Sequence, residues 1–170
     1  MRNPLFPGSD SSPPRVLSLT TSTTESKYSE DPKDCVFCKI ISGELPCIKI
    51  FENEHVLAFL DAAPISRGHS LVIPKTHVTK LTLASSSLVA EIGAVLPKVT
   101  NAVIKGVNAT DFNVLQNNGQ LAGQVVFHLH FHIIPRFKNE DQSADRKVKG
   151  RLRLSKEETE GIGSNIRAKL

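Results

Sequence analysis

The chain has 170 residues, 39% of them hydrophobic and 22% charged, with a formal net charge of +4. That is enough for one domain with a real core and some spare length. No apolar run approaches the roughly 20 residues of a spanning helix, which argues against a membrane protein, and zero Trp with a single Tyr argues against a stacking platform for single-stranded nucleic acid.

Residues 1–33 are rich in Ser, Thr and Pro and lack sustained periodicity. Such a stretch buries too little apolar surface to offset its ordering entropy, so it reads as a disordered tail. A charged start followed by an apolar stretch is missing, and Asp10, Glu25, Glu30 and Asp31 are too many acids for a mitochondrial presequence. The expected setting is intracellular and reducing: the cytoplasm, with the nucleus as a second location.

The folded domain is expected over 34–138. Asp34 reads as the N-cap of a short helix through "CVFCKIISG", ended by Gly43. Three strand-like runs follow, "IKIFEN", "HVLAFLD" and "HSLVIPK", with a tight hairpin at Asn53-Glu54 and a longer turn in "AAPISRG". From Ser85 to Lys105, Leu88, Ile92, Val95, Leu96, Val99 and Val103 keep helical spacing, and Pro97 is expected to kink or divide that helix. "DFNVLQN" and "VFHLHFHIIPR" supply two more strands, joined by the Gly-containing loop "NGQLAGQ". Residues 139–170 form a basic C-terminal extension. Arg146, Lys147, Lys149, Arg151 and Arg153 cluster there and read as a solvated tail with no specific nucleic-acid partner. Its final "SKEETEGIGSNIRAKL" has helical character weakened by Gly161 and Gly163. Five strands and one substantial helix indicate an α+β fold with an antiparallel sheet.

In "VFHLHFHIIPR" the histidines His128, His130 and His132 alternate with Leu129, Phe131 and Ile133. Side chains alternate across a strand, so the histidines share one face, about 7 Å apart, while the apolar set faces a core. Solvent-facing histidines on an edge strand, or a metal cluster, are the rival readings. No Asp or Glu lies nearby in sequence to complete a catalytic metal site, and the loop before the strand offers amides and glycines suited to a phosphate. Cys35 and Cys38 have a spacing that suits zinc; redox activity is the alternative, but no βαβ pattern surrounds the pair. Cys47 is left without a partner and His55 without a role.

"VFHLHFHIIPR" resembles the histidine-triad motif of the HIT superfamily. "CVFCKIISGELP", "FENEHVLAFLDAAPISRGHSLVIPKTHV" and "LQNNGQLAGQVVFHLHFHIIPR" extend the resemblance, in order and spacing, to its Hint (histidine-triad nucleotide-binding) branch over about residues 35–138. The resemblance implies a five-stranded antiparallel sheet per protomer, with one long and one short helix. It also implies a homodimer with a ten-stranded sheet, and cleavage at the α-phosphate of a purine nucleotide with no organic cofactor. In the family pattern His130 is the nucleophile, forming a nucleotidyl-histidine intermediate. His132 contacts phosphate and moves protons to the leaving group, His128 lies toward zinc, and His69 contacts the triad region. Asp61 matches the acid that accepts from the ribose hydroxyls and Asn117 the phosphate-side asparagine. Gln124 and Val125 fall beside the phosphate; Phe59 and Ile40 are either walls of the base pocket or ordinary core. Zinc-containing members imply Cys35, Cys38, His77 and His128 as structural ligands. The chain departs from the family's Gly-Gln-Ser at Gly123-Gln124-Val125, which removes a hydroxyl near the phosphate. Three functions compete: an adenosine 5′-monophosphoramidase, a dinucleoside polyphosphate hydrolase of the fragile-histidine-triad kind, and a nucleotide-binding scaffold with incidental catalysis.

Overall fold

The computed structural model describes residues 29–138 and 151–170. Of the tail expected over 1–33, residues 1–28 lie outside the described residues, as do Arg146, Lys147 and Lys149. Residues 29–33 are ordered: the Asp34 and Cys35 N–H groups donate to the Asp31 and Pro32 carbonyls at 3.1 and 3.3 Å.

A short helix, α1 (Val36–Ile41), opens the domain. Its N-cap is Cys35 rather than Asp34, whose carboxylate instead accepts from Ser29. Gly43 ends the turn at φ +83°, a conformation that costs a side chain and suits glycine. Strands β1 (Lys49–Glu52), β2 (Val56–Leu60) and β3 (Ser70–Pro74) follow, with Asn53 Oδ1 accepting from the N–H groups of His55 and Val56 in the first turn. Helix α2 (Ser86–Val107) is capped by Ser85, and Pro97 does not divide it. Strand β4 (Asp111–Gln116) and strand β5 (Phe131–Arg136) complete a five-stranded sheet in the order β1-β2-β3-β5-β4, with every neighbouring pair antiparallel.

Alternation along the strands produces two cores. Val56, Ala58, Leu60, Val72 and Ile133 pack under Ile92, Val95, Val99 and Val103 of α2. Leu57, Phe59, Leu71 and Ile73 face the other way and are covered by Cys35 and Phe37. By length and composition alone α2 is long and apolar enough to cross a membrane, so the premise that no apolar run approaches that length does not hold. Its apolar stripe is used here to cover the sheet, as in the core helix of a globular domain. A third helix, α3 (Lys156–Arg167), opens with a capping box at Ser155 and Glu158 and buries Ile162 and Ile166 in the same core. Its two glycines differ in role. Gly161 has open space, whereas a Cβ at Gly163 would come within 2.5 Å of Ile48 Cγ2, so Gly163 permits close approach of α3 to β1.

Candidate functional site

The histidine stretch is only partly strand. The β5 ladder begins at Phe131, and His128 and His130 lie in the bent segment before it, where the Leu129 N–H donates to the Val78 carbonyl. Alternation survives: Leu129 and Ile133 join the core under α2, while His132 stands opposite Leu71 on the α1 side of the sheet. The apolar positions anchor the segment and turn the three imidazoles toward α1. Two constellations form there.

The first contains Cys35, Cys38, His77 and His128, with one donor atom of each lying within 4.8 Å of the others. His128 is fully buried and donates its Nε2–H to the Pro74 carbonyl at 2.8 Å, which leaves the Nδ1 lone pair facing Cys35 Sγ at 3.5 Å and Cys38 Sγ at 3.6 Å. His77 repeats the arrangement, with Nε2 bound to the Glu30 carbonyl at 3.1 Å and Nδ1 3.2 Å from Cys38 Sγ. A tetrahedral zinc ion, with Zn–S of about 2.3 Å and Zn–N of about 2.0–2.1 Å, separates S from N by about 3.6 Å. The donor set therefore suits zinc in identity and spacing, with both imidazoles oriented from behind by carbonyls. Burial, followed by the neighbouring Cys35, pushes the Cys38 thiol up to about 11, so a thiolate here needs a cation beside it.

The second constellation lines a cleft of about 430 Å³ on the α1 face. Such a volume is that of a small-molecule site. Phe37 and Ile40 of α1 and Phe59 of β2 form its apolar wall; Asp61 follows β2, His69 precedes β3, and Asn117 and Val125 come from the β4–β5 connection. His130 donates Nδ1–H to the His128 carbonyl at 2.6 Å, leaving its Nε2 as the unprotonated nitrogen of a ring that lines the cleft. Phe37 packs edge-on against that ring, with centroids 5.3 Å apart. The Ile65 N–H donates to His69 Nδ1 at 3.3 Å, so the His69 proton sits on Nε2 and is donated to His132 Nδ1 at 2.9 Å. The remaining His132 proton is then on Nε2. Asp61 Oδ1 accepts from the Ala63 N–H at 2.8 Å while Oδ2 lies 3.5 Å from His69 Nδ1, so a carboxylate stands ready if His69 becomes charged.

Burial pulls His132 down to about 4, reinforced by His130 and His69, and burial likewise lowers His130 and His69. At neutral pH these imidazoles are neutral. One presents a lone pair and its neighbour an N–H to the same cleft, which is the equipment for attack at a phosphorus or carbonyl centre with a donor alongside.

Asp61, His69, Asn117, Val125, Phe59, Ile40, His130 and His132 are brought together by the fold. Two of the expected residues do not line the cleft. Gln124 is buried, with Oε1 accepting from the Gly119 N–H at 2.7 Å and Nε2 donating to the Thr79 and Val126 carbonyls at 2.7 and 3.1 Å. Its two amide hydrogens and one lone pair of its oxygen brace the loop, and its side chain does not line the cleft. His128 does not line the cleft; its carbonyl fixes the His130 proton and its ring packs against Phe37 of the cleft wall. Sequence reasoning missed Val36, Phe37, Leu115 and Ile134 as lining residues, all of them reading as ordinary apolar positions, and Arg151, which reads as one charge in a basic run.

A family profile described as HIT domain matches residues 42–139, more than half of the chain. Adenylylsulfatase HINT3 of Arabidopsis thaliana is 43% identical over 154 residues, spanning 85% of this chain and 78% of that protein. Adenosine 5'-monophosphoramidase hnt1 of Schizosaccharomyces pombe is 43% identical over 136 residues, spanning 80% of this chain and 98% of that one. A zinc-bound histidine triad family protein from Mycobacterium smegmatis superposes with a TM-score of 0.70 at 38% identity, covering 82% of this chain and 94% of that one. Sheet order, triad geometry and these likenesses agree, and the chain belongs to the HIT domain family, in its Hint branch.

Proposed function

We propose that this HIT-family enzyme hydrolyses adenosine 5′-monophosphate joined through its phosphorus to an amine, by way of a nucleotidyl-His130 intermediate. The observation that carries the reading is the 2.6 Å bond from His130 Nδ1–H to the His128 carbonyl, which makes Nε2 a neutral nucleophile at the cleft. The relatives named adenylylsulfatase and adenosine 5'-monophosphoramidase supply the nucleotide class.

His130 Nε2 attacks the α-phosphorus and the P–N bond to the amine breaks. The anionic phosphoryl group seated beside His132 raises that ring's affinity for a proton, so substrate binding itself loads the acid. His132 passes the proton to the departing nitrogen. Water then attacks phosphorus, its proton returns to His132, and His130 is released. Asn117 and the Val125 N–H bind the phosphate, Asp61 accepts from the ribose hydroxyls, and Ile40 and Phe59 flank the base. Zinc on Cys35, Cys38, His77 and His128 would be structural: four protein ligands leave no open position, and its role is to tie α1 to the triad segment. The working form in this reading is a homodimer, supported by β4, an edge strand whose Phe112, Val114 and Leu115 are 44–47% exposed. The cytoplasm, with access to the nucleus, is the proposed location.

Adenosine 5′-phosphoramidate and diadenosine triphosphate separate the two hydrolase readings. Turnover of the first, lost on the order of 10³-fold or more in His130→Ala, is expected. Intact turnover in that variant refutes the mechanism, and cellular rescue by it favours the scaffold.

A further inference from the structure

The segment from Arg151 to Leu154 runs past the cleft before α3 begins. Its course is fixed at both ends. The Leu152 N–H donates to the Pro64 carbonyl at 2.7 Å, Leu154 packs against the main core, and Ser155 caps a helix whose Ile162 and Ile166 are buried. This places Arg151 on the wall of the cleft that Ala63, Ile65, His69 and His132 also line. Among the described residues that line the cleft it is the one permanent cation, and no described carboxylate lies within ion-pair distance of it. Its field is felt at His69, the partner of His132: burial lowers the basicity of His69 most, Asp61 opposes, and Arg151 lowers it further.

On the loop side, Val125 offers only a backbone N–H and an apolar, exposed side chain, so a departing group finds no side-chain hydroxyl there. An amine must leave with a proton, whereas an oxyanion leaves with its electron pair and needs its charge balanced instead. A guanidinium fork does that, because two parallel N–H groups match two oxygens of a tetrahedral anion.

We propose that Arg151 determines leaving-group specificity by holding a tetrahedral oxyanion, sulfate or phosphate, joined in anhydride linkage to the α-phosphate of a nucleotide in this cleft. The inference rests on the reading of the cleft as a nucleotide-cleaving site. In the step it serves, the His130 Nε2–P bond forms as the bond from phosphorus to the bridging oxygen breaks. The electron pair moves onto the departing oxyanion, facing Arg151. Water then displaces His130 from phosphorus and its proton goes to solvent.

The test compares kcat/KM for adenosine 5′-phosphosulfate and for ADP, each divided by that for adenosine 5′-phosphoramidate, in the full-length wild type, Arg151→Ala and Arg151→Lys. Alanine is expected to lower one or both ratios at least fivefold, and lysine, which keeps the charge, to recover part of the loss. A fall confined to phosphosulfate identifies sulfate; one confined to ADP identifies phosphate. Ratios changed less than fivefold, or all three substrates falling together, overturn the proposal, since Arg151 would then read the shared nucleotide or only the fold. The same comparison by calorimetric binding in a His130→Ala background requires no turnover. A fivefold loss of relative affinity for the anionic compounds supports the role of Arg151 even where wild-type hydrolysis of the phosphoramidate fails and the mechanism above falls. An unmoved binding ratio overturns it independently.

Discussion

Gly106→Ala is a stringent test of how the C-terminal helix is seated. Gly106 lies within α2, and alanine there has an intrinsic helix advantage of roughly 1 kcal/mol over glycine. Against this, a Cβ at position 106 would sit 2.8 Å from Ile166 Cα, 2.8 Å from Ile166 Cγ1 and 2.9 Å from Ile166 N. Ordinary carbon contacts lie at about 3.5–4.0 Å, so α3 would have to retreat by roughly 0.7 Å or more. Two of the three atoms are backbone, so no rotamer change can relieve the clash. Retreat loosens Ile162 and Ile166, which are 4% and 0% exposed. Overpacking of this kind costs about 1–3 kcal/mol, and after the propensity gain the net expectation is a loss of up to about 2 kcal/mol. For a chain of this size that corresponds to a Tm lower by up to about 8 °C. Gly93→Ala is the internal control: it lies in the same helix, nothing stands within 4 Å of its Cβ position, and it should gain up to about 1 kcal/mol. Urea midpoints and Tm are measured at one fixed protomer concentration, because association shifts both. If the two alanines change stability with the same sign, the close crossing of α2 and α3 is refuted.

Zinc should co-purify at close to one equivalent per chain by metal analysis; less than about half an equivalent counts against the site, and Cys38→Ser should lose the metal along with several degrees of Tm. Acid should weaken the fold through His132, whose basicity burial holds at about 4 against the ordinary 6.5. The unfolded chain takes up this proton first as pH falls. The stabilisation is therefore complete above about pH 6.5, declines down to about pH 4, and amounts to at most about 3 kcal/mol for this ring; His132→Asn should flatten that part of the urea-midpoint curve, and an unchanged curve sinks the assignment. Val114→Lys on the outer edge of β4 should convert a dimer to monomer by light scattering, with the protomer still folded by circular dichroism.

The sheet was readable because its signals are local. The strand runs, the helical spacing of α2 and the Asn53 turn need no knowledge of distant residues, and apart from β5, which starts five residues later than its run, each formed within a residue or two of its expected place. The histidines were readable as a set because alternation outlasts the ladder: Leu129 and Ile133 still anchor one side even though pairing starts only at Phe131. The places of Gln124 and Arg151 were not readable, because both depend on contacts far along the chain. An amide beside glycines looks like a phosphate ligand until the Thr79 carbonyl, 45 residues away, claims its N–H. An arginine in a basic run looks solvated, and Arg151 is exposed, but the run does not tell that Pro64 and the burial of α3 carry its backbone past the cleft. The information was present in the sequence, but in small residues rather than in charge. Gly106 and Gly163 are the positions where a Cβ would drive α3 off α2 and β1, and they set how closely the C-terminal segment can approach the domain. A helix glycine that propensity alone counts as a weakness here lets α3 seat closely on α2, and together with the Leu152–Pro64 bond that seating sets the course of the segment that carries Arg151 past the cleft.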